Sequence, residues 1–506
     1  MKKRIFALIL AVCMVTVLFA GCSGNKTNTD GPAELTIFAP NGGKIFLEDD
    51  PVIAEIEKKT NTKITMNLGN AATTLSDFSM LVASGDVPDI VMLQQFEYQQ
   101  FVDQGIFLEL DELVDKYGSN LKKAVGEEQA HTWDVLRTNG NLYAIPKLTS
   151  AGKYLLSARE DWMNNLGIET PETLDEYVDM IRRFTTDDPD GNGQNDTYGL
   201  SYGSAGNNSS YMFAFSPIFG AYGIQPQQFK IKGDKFVPSS TSEEYKQAIE
   251  LIAQLYKEKV IDQEIFIQKD DQACQKLVNS KSGSFLGWWS IVPNILMDQW
   301  KMAEVTPGAA WKTLPAPKGA DGQQGYISQP EIQCTVSISK KCKNPEAAIR
   351  LLDYLASEEG YRLATKGIAG VHYDPETGVA TEEGEKALTE KWLGTLGMII
   401  SNVSIQEADW EKNTPNKWTY IKAAKEMPLY TDDMYSILTD EYNSIFPEIK
   451  KLEEEWFIKF VTGEESIDNY DKYVAEWEKK GGMEMLQSMV DEYNRRNNTN
   501  LTAALK

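Results

Sequence analysis

Small acidic and amide residues at alternate positions are the chemistry of a calcium site, and the segment TTDDPDGNGQNDTYGL (Thr185–Leu200) carries them. Calcium takes roughly six to eight oxygen ligands, and a twelve-residue loop supplies most of them from alternate places. Counting from Asp188 puts Asp190 third, Asn192 fifth, Gly193 sixth, Gln194 seventh through its carbonyl, and Asp196 ninth. Counting from Asp187 puts Pro189 third, where there is no side-chain oxygen, so a single register fits. The twelfth place is Gly199, where a switching EF-hand carries a bidentate glutamate. The residues that follow, TYGLSYG, read as strand or loop. Without a mobile helix pair calcium has little to open, so Ca2+ is expected here as a structural ion. The bland alternative is a solvated acidic turn, since Asp, Asn and Gly are also common turn residues.

Other chemistries are poorly supplied. The chain has two histidines, His131 and His372, too few for histidine-based metal hydrolysis or nucleophilic catalysis. A glycoside hydrolase needs two carboxylates roughly 5 to 9 Å apart across a cleft. Nothing singles out such a pair among 74 acidic residues. The chain ionises to a formal net charge of −24, which argues against nucleic acid and against a polybasic membrane surface.

The elements that must position such residues begin after an export signal. Lys2, Lys3 and Arg4 precede an apolar run and then small residues before Cys22. Phe19-Ala20-Gly21-Cys22 resembles a bacterial lipobox, which makes Cys22 the lipidated N-terminus; plain secretion is the alternative. Residues 1–21 are thus expected to be removed and 22–33 to form a lipid-anchored flexible tether, with stable anchoring by two or more acyl chains. Processing leaves 47 cations against 74 anions, a net charge of −27. Cys274, Cys334 and Cys342 remain besides Cys22; a Cys334–Cys342 bridge is left open.

The processed chain is too long for one core, so two lobes are expected. AELTIFAP, TKITMNL and DVPDIVML read as strands. Between them lie helices marked by Val52, Ile53 and Ile56 and by Leu75, Phe78, Leu81 and Val82, which is the order of a parallel α/β lobe. The pattern restarts after Pro146 with SAGKYLLSARE and a helix whose Thr173 and Glu176 have capping-box spacing. A later helix opens with Asn344 as N-cap and Pro345 at its first position. The last hundred residues are mainly helical, with Tyr470, Tyr473, Val474 and Trp477 on one core-facing side.

Several motifs in order resemble the extracellular solute-binding lipoproteins of carbohydrate ABC importers, similar in fold to maltose-binding protein. They are ASGDVPDIV, FLELDELVDKYG, LYAIP, REDWMNNLGIETPETLDEY, DPDGNGQNDTYGL, KKCKNPEAAIRLLDYLASEEG and FVTGEESIDNYDKYV. The large Gram-positive members with a calcium loop are the most similar. The resemblance implies an α/β, two-lobed periplasmic-binding-protein-like (type II) fold with an interlobe cleft and a helical C-terminal part. One lobe would comprise residues 34–147 plus about 320–400, the other 148–319 plus about 401–506. It also implies a monomer on the outer face of the cytoplasmic membrane. That monomer would capture an oligosaccharide, close by a hinge and deliver its cargo to the transmembrane permease. In such relatives an acidic residue can follow the last loop ligand; here it is Thr197.

Sugar rings present C–H faces and hydroxyl edges, so a binder needs flat aromatics and hydrogen-bond partners. SFLGWWSIVPN offers Trp288 and Trp289, of which alternation along a strand lets one face the ligand. Asn41, and Gln94 with Gln95, follow strand C-terminal ends, which line the crevice of open α/β sheets. By resemblance Tyr211 and Phe219 touch sugar, Glu331 near the return crossing accepts a hydroxyl, and Trp410 and Trp418 are further stacking platforms. Arg159 could pair a uronate, or make an internal salt bridge to Glu160 or Asp161. A binder of peptides or another solute on the same fold is the main alternative, and an exported glycoside hydrolase a remoter one.

Overall fold

The computed structural model describes residues 31–505 except 71–72, 150–153, 202–210, 329–330, 435–436 and 438. The signal segment, Cys22 and most of the tether therefore lie outside the described residues.

The first lobe is built on a five-stranded sheet. Its order is Thr62–Gly69, Ala33–Pro40, Ile90–Gln94, Ile332–Ile338, Ile145–Leu148. The first three are parallel, and Ile332–Ile338 runs antiparallel to both its neighbours. Leu35, Ile37, Phe38 and Ala39 are all buried, as expected of a strand covered on both faces by helices. The helix Pro51–Thr60 starts where Asp50 accepts from the Val52 and Ile53 amides, and it buries Val52, Ile53 and Ile56. In the next helix, Thr74–Ser84, Phe78 is buried but Leu75 is exposed, so the apolar stripe is narrower than the sequence suggests. The helix Pro345–Ala356 begins at Asn344, whose side chain makes no capping bond; Pro345 and packing onto Ser119–Val125 set its start and place. Cys334 and Cys342 are both free thiols.

The second lobe carries a three-stranded antiparallel sheet with Tyr154–Arg159 between Ser284–Trp288 and Trp311–Leu314. The helix Leu174–Thr186 has the capping box in both directions. The Glu176 amide donates to Thr173 Oγ1 at 3.3 Å, and the Thr173 amide donates to Glu176 Oε2 at 3.0 Å. Its Tyr177, Met180, Ile181 and Phe184 join a core that also takes Tyr470, Tyr473, Val474 and Trp477 from the C-terminal helices. Asp440–Thr462 packs along Glu243–Lys257, so the end of the chain belongs to this core.

Two helices tie the lobes together. Val403–Asn413 packs on Ser119–Val125 of the first lobe, and Pro415–Glu426 packs on Tyr154–Arg159 of the second. Neither buries a broad face: the first has no fully buried residue and the second has Ile421 and Ala424.

Candidate functional site

A cavity of about 390 Å³ opens where these parts meet, within the roughly 300–1,000 Å³ usual for ligand pockets. Trp288 and Trp289 wall it from the second lobe, Lys44, Lys147 and Gln333 from the first, and Gln406 and Trp410 from the bridging helix. Both adjacent tryptophans line it, where alternation along a strand allows one. The strand ends at Trp288, and Trp289 already lies in the turn before a π-helix, Ile291–Gln299. Wide helical turns of that kind recur at functional sites. Trp288 meets Tyr154 edge-on at 5.8 Å, whereas Trp289 leans against Trp410 at 5.6 Å and 57°. Tyr361 also lines the cavity, and burial pushes its hydroxyl up to about 12, so it stays a neutral donor.

Sequence reasoning missed the two lysines. Lys44 follows the turn at the end of the first strand, where Asn41 Oδ1 accepts from the Gly43 amide at 3.1 Å and the Asn41 carbonyl accepts from the Lys44 amide. Its ammonium donates to the Leu393 carbonyl at 2.7 Å. Lys147 follows the LYAIP motif and donates to Gln333 Oε1 at 2.8 Å. Burial lowers the pKa of both lysines. The rule that picked out Asn41, that strand ends line the crevice, also reaches Lys44 three residues on.

Other expected contacts are located elsewhere. Asn41 shapes the Lys44 turn and is not in the cavity wall. Gln94 pairs with Cys334 at the strand end, its amide bonded to Glu97, and Gln95 opens the following helix; neither lines the cavity. Phe219 is 0% exposed and stacked on Tyr245 at 5.4 Å, which excludes it from ligand contact. Tyr211 lies against the second-lobe core, edge-on to Phe266. Arg159 is 2% exposed and committed to Asp161 at 2.8 and 2.6 Å and to Ser280, so it has no donor aimed at a uronate. Glu331 meets His131 Nε2 at 2.8 Å, and Trp418 is half-buried on the second bridging helix, outside the cavity wall.

A larger cavity, about 720 Å³, lies between the Arg137–Gly140 hairpin and the last helix. It is lined by Asp103, Asp134, Arg137, Glu492, Arg495 and Arg496, with Glu492 already paired to both late arginines. Its described lining holds no tryptophan, and its arginines are paired with Asp134 and Glu492, so the smaller cavity has the better chemistry for a ring-shaped solute.

The acidic loop is compact. The Asn192 amide donates to Asp188 Oδ1 at 3.0 Å, and its side-chain nitrogen donates to Asp190 Oδ2 at 3.0 Å and Asp196 Oδ1 at 3.2 Å. The Gln194 amide donates to Asn192 Oδ1 at 2.7 Å. Gly193 takes a φ of 77°, the left-handed turn its place in the loop demands. Burial, followed by the charges of Asp196 and Asp188, raises the Asp190 carboxyl; the Lys281 ammonium bonded to Asp196 lowers that one. Gly199 abuts the helix Leu174–Thr186, where an added Cβ would come within 1.9 Å of the Ile181 carbonyl oxygen, so no glutamate fits the twelfth place. Among the described residues no three His, Cys, Asp or Glu side chains are grouped as a metal site: the loop oxygens turn onto Asn192 and Lys281.

Fold and cavity together define a two-lobed solute binder, and the comparisons agree. The chain belongs to the bacterial extracellular solute-binding protein family, whose profile matches residues 47–362. It is 24% identical over 518 residues to the polygalacturonan/rhamnogalacturonan-binding protein YtcQ of Bacillus subtilis (strain 168), covering 97% of this chain and 99% of YtcQ. The alginate-binding protein AlgQ2, solved without calcium ion, aligns with a TM-score of 0.65 and 22% identity over 92% of this chain and 99% of its own. The Streptococcus pneumoniae substrate-binding protein FusA in complex with kestose aligns with a TM-score of 0.66 and 18% identity over the same shares. An EF-hand mutant of FusA is also known. No helix among the described residues is long and apolar enough to cross a membrane.

Proposed function

We propose that this chain is the substrate-binding lipoprotein of an ABC importer, taking an oligosaccharide into the cavity between its lobes and presenting it to the permease. One observation carries the reading. Three tryptophans, Trp288, Trp289 and Trp410, converge from the second lobe and the bridging helix on a cavity that the first lobe lines with polar side chains among others, Lys44, Lys147 and Gln333. Flat apolar faces ringed by polar donors suit sugar rings. The lobes are taken as 34–147 plus about 320–400 and 148–319 plus about 401–506, closing over the ligand by a hinge. Lipidated Cys22 would hold the protein at the outer face of the cytoplasmic membrane. Binding without turnover is supported by the relatives, which are binding proteins.

Calcium is proposed as a structural ion at Asp188, Asp190, Asn192, Asp196 and the Gln194 carbonyl, with Lys281 leaving Asp196 when it binds. Support comes from the single workable register and the left-handed Gly193. The ion would cross-link the loop and neutralise its carboxylates.

A thermal-shift screen of the lipid-free protein against plant and microbial oligosaccharides tests the reading. An upward shift with one glycan class, with the glycan recovered intact after long incubation, is expected. No shift with any glycan would move the reading to peptides or another solute; breakdown of the glycan would revive a hydrolase.

A further inference from the structure

The relatives' names span acidic glycans and neutral ones, so they do not decide the charge of the cargo; the cavity does. We infer that Lys44 and Lys147 form a carboxylate-receiving edge, and that the cargo is an acidic, uronate-bearing oligosaccharide.

This rests on the oligosaccharide reading and adds the substrate class. Three features carry it. First, among its described residues the cavity wall contains two ammonium groups and no Asp, Glu or His. In a chain with 74 acidic residues and 50 basic ones, a wall with that bias is a local inversion of the overall charge. Second, neither lysine forms an ion pair within the described residues. Other part-buried lysines of this chain do find carboxylates, as Lys276 with Asp262 and Glu264 and Lys366 with Asp409, although Lys312 instead donates to the Thr170 hydroxyl. Lys44 and Lys147 each have one neutral acceptor, Leu393 O and Gln333 Oε1, which leaves N–H donors on each ammonium. Third, two acidic side chains of the bridging helix that carries Gln406 and Trp410 are already engaged: Asp409 by Arg362 and Lys366, and Glu407 by Lys425.

Burying an ammonium without a counter-ion costs free energy, which burial registers here as a lowered pKa for both lysines. An incoming carboxylate recovers that cost and gains a charge-assisted hydrogen bond in a partly dehydrated site. A neutral hydroxyl recovers only part of it. The tryptophans stack the ring whatever its charge, so they supply affinity for sugars in general and the lysines select among them. Arg159, the cation the sequence suggested for this role, is sealed in the second lobe by Asp161.

The test compares trigalacturonate and trimannuronate with their carboxyl-reduced neutral counterparts by calorimetric titration at low and high salt. One of the uronates is expected to bind at least tenfold more tightly than its neutral counterpart and to weaken with salt. Lys147→Gln and Lys44→Gln should each remove most of that preference, while Lys→Arg at either position keeps part of it. The comparison of ligands on the wild-type protein stands even if a variant fails to fold. Neutral oligosaccharides bound as tightly as the uronates, or in their place, would overturn the inference and leave the oligosaccharide reading intact. No binding of any glycan would overturn both.

Discussion

The cavity and the Asp188–Asp196 loop are inverse designs. The cavity gathers Lys44 and Lys147 with no carboxylate among the described residues of its wall; the loop gathers Asp188, Asp190 and Asp196 around the backbone and side-chain amides of Asn192, with Lys281 paired to Asp196. The cavity draws its residues from many separate stretches of chain, from Lys44 to Trp410, and lies where the lobes meet. The loop is nine residues of continuous sequence at the end of one helix, and the partners described for its side chains all belong to the second lobe. A site that must open and close needs parts from both lobes. A site that only has to hold a bend can be local. The difference separates the part that binds cargo from the part that keeps its lobe in shape.

The sharpest way to break that separation is at the cavity aromatics. Trp289→Ala, or Trp410→Ala, is expected to weaken glycan binding at least about tenfold, roughly 1.4 kcal/mol or more, with a smaller effect on melting temperature than a core substitution because neither side chain is fully buried. Titration calorimetry with a melting curve on the same sample reads both quantities. Unchanged affinity in both variants would remove the stacking assignment. Next in size is calcium removal. Chelation is expected to lower the melting temperature by about a few degrees while excess glycan still binds, since a saturating ligand of the folded state contributes about 2.7 kcal/mol at a hundred times its Kd. Loss of glycan binding in the still-folded, chelated protein would join the two sites that the account keeps apart.

Smaller effects sharpen the loop itself. Lys281 competes with calcium for Asp196, so Lys281→Ala is expected to tighten calcium binding several-fold in a chelator competition. The same pair sets a pH dependence. Lys281 holds the Asp196 carboxyl below its ordinary value, so the contribution is present above the unfolded value of about 3.9 and lost as pH falls through the folded one. Without calcium, the wild type should therefore lose more stability below about pH 4 than Lys281→Ala does. Smallest of all, Glu331→Gln should change glycan affinity less than about twofold, because Glu331 is tied to His131 outside the cavity wall. A larger change would bring the return crossing into the site.

Much of the fold was legible because it is local. The capping box of Thr173 and Glu176, the burial of Val52, Ile53 and Ile56, and the core side of Tyr470 and Trp477 are set by spacing along one helix. Leu75 misled for a related reason: periodicity tells that a face is apolar, not how wide a neighbour covers it. The cavity was legible only in its aromatics. Trp288, Trp289 and Trp410 could be picked by type, but type alone also picked Phe219, which stacks inside the core, and Trp418 beside the cavity. Lys44 and Lys147 carry no local mark. What sets them apart is a place in the cavity wall without a carboxylate partner among the described residues, and partners come from across the chain, as the pairing of His131 with Glu331 illustrates. Arg159 is the converse: Asp161 stood two residues away, and the internal salt bridge was there to be chosen.

The most direct test of the central claim is a crystal structure of the protein with the glycan that the thermal screen selects. The account predicts a sugar ring against Trp289 or Trp410, inside the cavity between the lobes, with Lys44 and Lys147 facing its substituents. A glycan seated instead in the cavity lined by Arg137 and Glu492, or clear of all three tryptophans, would contradict it.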